Sequence, residues 1–308
     1  MRVLALDRAT AAAADALRDA RIDCILLKGP ALARWLYDDE SERPYVDADL
    51  LVSPADVGAA ETKLGELGFR RLGLDTLRSD RPRPSITLRR EDDGLAIDLH
   101  HSFLGIGVEP DVAWRVLRPM TEPIEVGGAT LLMLTTPARA VVLSLHAAKD
   151  GSRSRQVVRD MERAVEVVDL DVWRHAVAVA ERLDAVEGVR AGICRSPAGE
   201  ALATRLGLPA AVSVDAALRE QRPPPMAAGM KWFLEEESLG AKARVARQKL
   251  FPPPSFMRAW RPLARRGALG LALAYVWRPF WVVWHSLPAA IAVRRARRAA
   301  DRSRRATG

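Results

Sequence analysis

Hydrophobic and polar positions in the first 134 residues follow both helical and strand periodicity. Helical spacing predicts an opening amphipathic helix over residues 7–21. Two more helices are predicted over residues 31–37 and from Ser53-Pro54 to about Leu67. Short apolar runs bounded by turn residues predict strands over residues 24–27, 46–52, 85–89, 95–99, 124–126 and 130–133. This mixture predicts an α/β (α+β) domain over residues 1–134.

The pattern changes after Thr136-Pro137. The segments that follow have helical spacing, at residues 137–149, 155–168, 171–187 and 197–206. They predict a helical domain over residues 135–220. Proline runs at 221–225 and 251–254 are typical of linkers, so residues 221–308 are predicted to be a linker followed by a basic, tryptophan-rich tail.

Charge is distributed unevenly along the 308 residues. The chain has a net charge of +8, but residues 241–308 contain 16 Lys and Arg residues and a single acid, Asp301. Such a segment attracts anionic membranes, nucleic acid or acidic partners. An apolar content of 49% excludes a disordered chain, and two cysteines exclude a disulfide framework. Acids near the N-terminus and the lack of an apolar signal core predict a cytoplasmic protein.

Residues 267–293 of this tail are apolar and contain three tryptophans. Arg278 divides them into uncharged runs of 11 and 15 residues, and Pro279 and Pro288 are expected to break them further. Neither run reaches the ~18–20 residues of a membrane-spanning helix. Flanking arginines leave three interpretations for residues 258–308: docking on an anionic membrane surface, packing on the helical domain, or binding a protein partner. Nucleic acid is disfavoured as a partner, because the interleaved residues are strongly apolar.

Three aspartates on two predicted strands are candidates for chemistry. Asp47 and Asp49 lie two residues apart, so both side chains leave the same face of their strand. Asp98 occupies the equivalent position on a later strand. Closely spaced carboxylates repel each other unless a cation lies between them, which suits Mg²⁺ or Mn²⁺ bound together with substrate phosphates. The alternative is a solvated strand face, because this spacing is a weak signal by itself.

A turn earlier in the chain adds groups that suit a phosphate. Residues 24–33 have the pattern of a strand, a tight turn and a helix, in which Gly29 permits close backbone approach and the helix start offers free N–H groups. Lys28 adds positive charge at the turn, and Arg43 adds another charge shortly before the acids. A phosphate-binding turn, basic residues and paired carboxylates therefore follow one another closely.

Four blocks of sequence carry a resemblance to a known family. They are LLKGPALARWLY, RPYVDADLLV, AIDLHHSF and LTTPARAVVLSLHAAKDGSRSRQVVRDMERAVE, which begin at Leu26, Arg43, Ala96 and Leu134. In this order they resemble the signature of the uncharacterised nucleotidyltransferase family within the DNA polymerase beta-like superfamily. The resemblance covers about residues 20–170 and implies a nucleotidyltransferase-like mixed sheet with flanking helices.

The resemblance also implies a reaction: Mg²⁺-dependent transfer of a nucleoside monophosphate from an NTP to an acceptor. The acceptor is left open as a small molecule, a peptide or a protein. The implied catalytic and metal-binding residues are Asp47, Asp49 and Asp98, and the implied nucleotide-binding residues are Lys28, Gly29 and Arg43. The turn departs from the wider superfamily, which commonly has Gly-Ser or Gly-Gly where this chain has Lys28-Gly29-Pro30. The alternative function is a non-catalytic nucleotide-binding or scaffold protein recruited to the membrane surface.

Three further residues are candidates for the wall of that site. The D-L-H pattern of the family favours His100 there, and a packed or solvated histidine is the alternative. His146 and Lys149 share one side of a predicted helix, where they either face the nucleotide cleft or belong to an ordinary helix surface. Asp160 either orients such a residue or lies on a solvated helix face.

Overall fold

The computed structural model describes residues 2–72, 84–150, 154–210, 213–220, 224 and 226–307. Within these residues the chain forms two compact units: one contains residues 2–71 and 84–210, and the other contains Leu72 and the described residues from 213 onwards. The domain boundaries proposed at residues 134 and 220 stay predictions. The linker predicted at 221–225 lies outside the described residues except for Pro224.

A seven-stranded mixed sheet lies at the centre of the described part of the first unit. Its strands are β1 (Cys24–Leu26), β2 (Asp47–Val52), β3 (Phe69–Arg71), β4 (Ser85–Arg90), β5 (Ala96–His100), β6 (Thr121–Val126) and β7 (Ala129–Leu134). They lie in the order β3-β4-β5-β2-β1-β7-β6. Strand β2 is parallel to β5 and β1 is parallel to β7, whereas the other neighbouring pairs are antiparallel. The predicted α/β class with a mixed sheet is confirmed.

Nine α-helices flank this sheet in the described residues. They are α1 (Arg2–Asp19), α2 (Pro30–Leu36), α3 (Val57–Glu66), α4 (Pro110–Leu117), α5 (Thr136–Asp150), α6 (Arg155–Val167), α7 (Leu170–Arg182), α8 (Val186–Ile193) and α9 (Pro197–Arg205). The segment predicted as one helix over 171–187 forms α7 and the start of α8. Asp184 separates them with a left-handed φ of 47°, which an α-helix cannot contain.

Alternation along the central strands divides the core of this unit in two. Leu50 and Val52 of β2 point to one face of the sheet, where they pack with residues of α1 and α3. Leu51 points to the other face and packs with residues of α4 to α9. Residues at odd positions of β2, which include the two aspartates, therefore share the face that carries the later helices.

Helices α5 and α8 pack on that face at very short range. A Cβ atom built on Gly192 of α8 would lie 1.9 Å from the carbonyl oxygen of Ser144 on α5. Only a residue without a side chain permits this approach. The close packing fixes α5, the helix that contains His146 and Lys149.

The described part of the second unit contains five α-helices. They are α10 (Val214–Glu220), α11 (Ala227–Glu235), α12 (Leu239–Leu250), α13 (Pro254–Trp260) and α14 (Gly267–Thr307). The expectation that Pro279 and Pro288 break the apolar segment is wrong, because α14 is continuous through both residues. Each proline removes one helical hydrogen bond, but α10, α11, α12 and α13 all contact α14 and stabilise it.

Arg278 is buried in the same helix. Its guanidinium lies 4.4 Å from the ring centroid of Trp260 and donates a hydrogen bond to the carbonyl oxygen of Lys249. The charge is thus accommodated by an aromatic face and a backbone carbonyl. Among the described residues, no helix has the length and apolar character needed to cross a membrane.

Candidate functional site

Strands β2 and β5 bring the predicted aspartates together. In their parallel register Asp49 of β2 lies opposite Asp98 of β5. Asp47 lies two residues from Asp49 on its strand and His100 lies two residues from Asp98, so all four side chains leave the same face of the sheet. One ligand atom each from Asp49, Asp98 and His100 lies within 4.8 Å of the other two. Asp47 is next to this three-residue group along the strand but does not belong to it. The alternation therefore places His100 among the carboxylates.

Asp49 is almost completely buried and has two basic partners. Its Oδ1 is 2.7 Å from Nζ of Lys28 and 2.9 Å from Nε2 of His100. Burial opposes ionisation, but Lys28 and His100 hold the pKa of Asp49 well below its usual range. Burial likewise opposes the charge of Lys28, but Asp49, followed by the other two aspartates, raises the pKa of Lys28. Asp49 and Lys28 thus form a buried ion pair at neutral pH.

Asp47 is in a different electrostatic environment. Burial and the charge of Asp49 raise its pKa above the ordinary value, and Lys28 offsets only part of this effect. A carboxylate that is crowded by another carboxylate binds a cation favourably, because the cation removes the repulsion. Binding of a metal ion or of a proton is therefore favourable at Asp47.

The turn after β1 depends on a glycine. Gly29 has φ 65° and ψ −122°, a conformation that residues with a side chain rarely adopt. A Cβ atom there would make only ordinary contact with the ring of Tyr45, at 3.5 Å, so the backbone angle imposes the requirement. The carbonyl oxygen of Gly29 accepts hydrogen bonds from the backbone of α2, which begins at the next residue. The turn thereby places Lys28 beside Asp49.

Arg43 joins this turn to α6. Its Nε and Nη2 donate to the carboxylate of Asp160 at 2.8–3.0 Å, and its Nη1 donates to the carbonyl oxygen of Gly29 at 3.4 Å. Asp160 has no exposed surface, and it also accepts hydrogen bonds from Tyr37 and Gln156. It therefore does not lie on a solvated helix face. These contacts are internal to the protein, and the nucleotide-binding role of Arg43 stays a prediction.

Helix α5 contributes a second group of polar side chains. Nδ1 of His146 and Nζ of Lys149 each lie 3.4 Å from Oδ2 of Asp150. Burial and the nearby charge of Lys28 lower the pKa of His146, so its imidazole is neutral at pH 7. Burial opposes the ionisation of Asp150, but His146 and Lys149 lower its pKa to about 2. The sequence reasoning missed Asp150, although its position four residues after His146 places both on one helix face.

Most of these side chains line one cleft in the first unit, with a volume of about 370 Å³; Asp160 and Tyr37 do not. This volume falls within the range of small-molecule sites. Nine of the ten residues singled out from the sequence contribute to its surface, Asp160 being the exception: Lys28, Gly29, Arg43, Asp47, Asp49, Asp98, His100, His146 and Lys149. The structure thus brings the candidates together, while their individual roles stay predictions.

The donor set of the cleft fits a hard divalent cation. Three carboxylates, those of Asp47, Asp49 and Asp98, lie near the ammonium of Lys28 and raise its pKa. Mg²⁺ prefers carboxylate oxygens, and Mn²⁺ also accepts an imidazole nitrogen such as that of His100. The excess of negative charge is the feature that a divalent cation would balance.

Residues 1–196 match a family described as uncharacterised nucleotidyltransferase. The chain belongs to this family. The match includes the sheet, the glycine turn and helices α1 to α8, so the resemblance noted in the sequence is confirmed. Membership of the nucleotidyltransferase family supports a role in nucleotidyl transfer.

Two solved structures show a distant likeness to this nucleotidyltransferase family member. One is the antibiotic-resistance factor ANT(2'')-Ia, with 14% identity, coverage of 60% of this chain and 94% of that chain, and a TM-score of 0.41. The other is an antigenic nucleotidyltransferase-like protein from Paracoccidioides brasiliensis, with 13% identity, coverage of 60% and 91%, and a TM-score of 0.36. No curated protein matches the sequence at a significant level.

Proposed function

We propose that this protein transfers a nucleoside monophosphate from an NTP to an acceptor, with the help of a divalent cation. The observation that carries the proposal is the register of β2 and β5, which sets Asp49 opposite Asp98 in a cleft that also contains Lys28 and the glycine turn. Family membership supports the same reaction class.

Asp47 and Asp49 would hold Mg²⁺ or Mn²⁺, and Asp98 would complete the carboxylate set. When bound, such a cation neutralises phosphate oxygens and stabilises the charge that develops during phosphoryl-group chemistry. Asp47 suits this role because its pKa is raised by burial and by Asp49. Asp49 suits it because its carboxylate stays ionised in the buried cleft.

Lys28 and Gly29 would bind the triphosphate. The ammonium of Lys28 lies next to the turn, 2.7 Å from Asp49, and its flexible side chain would let it contact a phosphate oxygen. Gly29 lets the backbone approach a phosphate closely. Arg43 supports the turn by hydrogen bonding to the carbonyl oxygen of Gly29, and its own contact with the nucleotide remains part of the proposal.

The transfer itself would begin when the oxygen of an acceptor hydroxyl attacks the α-phosphorus of the NTP. A new oxygen–phosphorus bond forms, and the bond between the α-phosphorus and the oxygen that bridges to the β-phosphate breaks. Pyrophosphate leaves with the electron pair of that bond. The carboxylate of Asp98 takes the proton of the hydroxyl, because Asp98 lies beside Asp49 in the cleft and its side chain is only partly buried. His146 and Lys149 would form part of the wall of the cleft that they line.

The decisive experiment follows labelled phosphorus. The purified protein is incubated with cell extract, Mg²⁺ and each NTP labelled at either the α or the γ position. Label that moves from the α position only, and that requires the cation, supports nucleotidyl transfer. Asp49→Asn and Asp98→Asn should each reduce the transfer by at least about 100-fold. Asp92→Asn changes an exposed acid on the β4–β5 turn and serves as the matched control, with unchanged transfer expected.

Other results would contradict the proposal. Transfer of the γ label would show a phosphotransferase instead. Binding of an NTP without any label transfer, measured by titration calorimetry with Mg²⁺, would favour the non-catalytic nucleotide-binding alternative. Full activity of both site variants would show that the carboxylates of Asp49 and Asp98 take no part in the reaction.

A further inference from the structure

Helix α14 has two apolar sides, and only one of them is buried. Ala274, Val282, Ala289 and Val293 are buried, and three of these four pack in apolar clusters with residues of the other helices of the second unit. On the opposite side, six large apolar residues are 64–79% exposed: Leu269, Val276, Phe280, Val283, Trp284 and Leu287. We refer to these six residues as the apolar stripe.

The apolar stripe is a continuous surface. At 3.6 residues per turn its members fall within a sector of about 100° around the helix, and they extend over roughly 27 Å of its length. Folded proteins rarely expose apolar surface in contiguous patches of this kind unless the surface binds something. The stripe is thus a candidate docking surface.

Arginines continue the same face of α14 beyond the stripe. Arg294, Arg295, Arg298, Arg302 and Arg305 are all exposed and fall in nearly the same sector of the helix. Asp301 is the only acid in residues 241–308. At the other end of the stripe, Arg265 and Arg266 are exposed just before the helix begins. Positive charge therefore borders the stripe at both ends.

We propose that α14 docks flat on an anionic lipid surface, with the apolar stripe in the interfacial layer and the arginines on lipid phosphates. Amphipathic helices bind membranes in this way through buried apolar area, often from Trp, Phe and Leu, together with the attraction of basic residues to anionic lipids. The orientation is in the plane of the surface, because the helix is not apolar enough to cross a membrane. The proposal is independent of the nucleotidyl transfer proposed above.

The charge pattern favours lipid over a second copy of the chain. Two stripes packed against each other would bring the arginine-rich segment of one copy against either an apolar or a basic segment of the other. Asp301 is the only acid that this region could offer to those arginines. Lipid phosphates, in contrast, provide counter-charges at every arginine, each contact being worth about a five-fold gain in affinity.

The test is flotation of the full-length protein with vesicles. Vesicles of phosphatidylcholine with phosphatidylglycerol are compared with vesicles of phosphatidylcholine alone, at low and high salt. We expect binding to the anionic vesicles, release as salt rises, and a blue shift of tryptophan emission on binding. Phe280→Gln with Trp284→Gln should abolish flotation, while Leu239→Gln, an exposed leucine of α12, should not affect it. Arg294→Gln with Arg298→Gln should weaken binding about 25-fold.

Circular dichroism of each variant shows whether it is folded; the replaced side chains are exposed, so unchanged spectra are expected. Absence of flotation with anionic vesicles at low salt would overturn the proposal. Equal, salt-independent binding to neutral and anionic vesicles would contradict the proposed contacts between the arginines and lipid phosphates. A second copy of the chain would be the occupant instead of lipid if three results were found together. The protein does not bind vesicles, light scattering detects a dimer, and Phe280→Gln with Trp284→Gln dissociates that dimer.

Discussion

Replacing Asp160 with alanine should destabilise the first unit strongly. Asp160 is fully buried, and Arg43, whose side chain is 8% exposed, depends on it for three charged hydrogen bonds. The substitution leaves the guanidinium in the interior without its counter-charge, and the hydroxyl of Tyr37 loses its acceptor. Breaking a buried ion pair by removing one partner costs about 3–5 kcal/mol, so the free energy of unfolding should fall by that amount.

The double variant Arg43→Met with Asp160→Leu separates the cost of the unpaired charge from the value of the pair. Apolar side chains of similar volume avoid both burying a lone charge and opening a cavity. The double variant should therefore lose less stability than Asp160→Ala alone. The difference from additivity should be about 1–3 kcal/mol, the range for groups in direct contact.

Urea unfolding followed by circular dichroism measures these free energies. Asp171→Ala is the control, because Asp171 forms a surface pair with Arg174 on α7 with side chains 79% and 63% exposed. Surface pairs contribute about 0–1 kcal/mol. Equal losses for Asp160→Ala and Asp171→Ala would contradict this prediction. So would a double variant that loses the sum of the losses measured for Arg43→Met alone and Asp160→Leu alone.

Three further predictions concern other parts of the first unit. Gly192→Ala should destabilise the protein by at least about 1–3 kcal/mol, because the new methyl group would collide with the backbone of α5. Gly58→Ala in α3 is the control and should not destabilise the protein, because a Cβ atom there meets nothing within 4 Å. Equal effects of the two variants in thermal unfolding would contradict the close packing of α5 and α8. Burial and the charge of Lys28 lower the pKa of His146 from its ordinary value of 6.5. The imidazole therefore binds a proton more readily in the unfolded chain than in the folded protein, so the free energy of unfolding should fall as pH drops from about 7.5 through 6.5. His146→Gln should make that fall smaller, and an unchanged pH dependence would count against the shift. Burial raises the pKa of Cys24 from 9.0 to about 11, so iodoacetamide at pH 8 should alkylate it about 100-fold more slowly than in the unfolded chain, and equal rates by mass spectrometry would disprove this.

The sequence was sufficient for features that depend on local periodicity. Alternation in β2 placed Asp47 and Asp49 on one face without knowledge of the fold. The strand, turn and helix around Gly29 followed from the residue types alone. The structure has β1, β2 and α2 within one residue of the predicted bounds.

Features that depend on distant parts of the chain were not predictable in this way. The neighbours β2 and β5 are separated by more than forty residues, and no local pattern states that they pair. Asp160 and Arg43 lie 117 residues apart, and a charged pair on a helix and a loop is ordinarily solvated. The continuity of α14 through Pro279 depends on packing against the helices around it, which outweighs the local preference of proline.

The parallel register of β2 and β5 also couples the cleft to the apolar core on the other face of the sheet. Leu50 and Leu99 are paired on the face opposite Asp49 and Asp98, inside the apolar core with α1 and α3. A slip of one residue would move aspartates into that core and leucines into the cleft, at a cost that would unfold the domain. The apolar core on one face of the sheet therefore enforces the register that aligns the carboxylates on the other face. The alignment of the acids is protected by the stability of the fold itself.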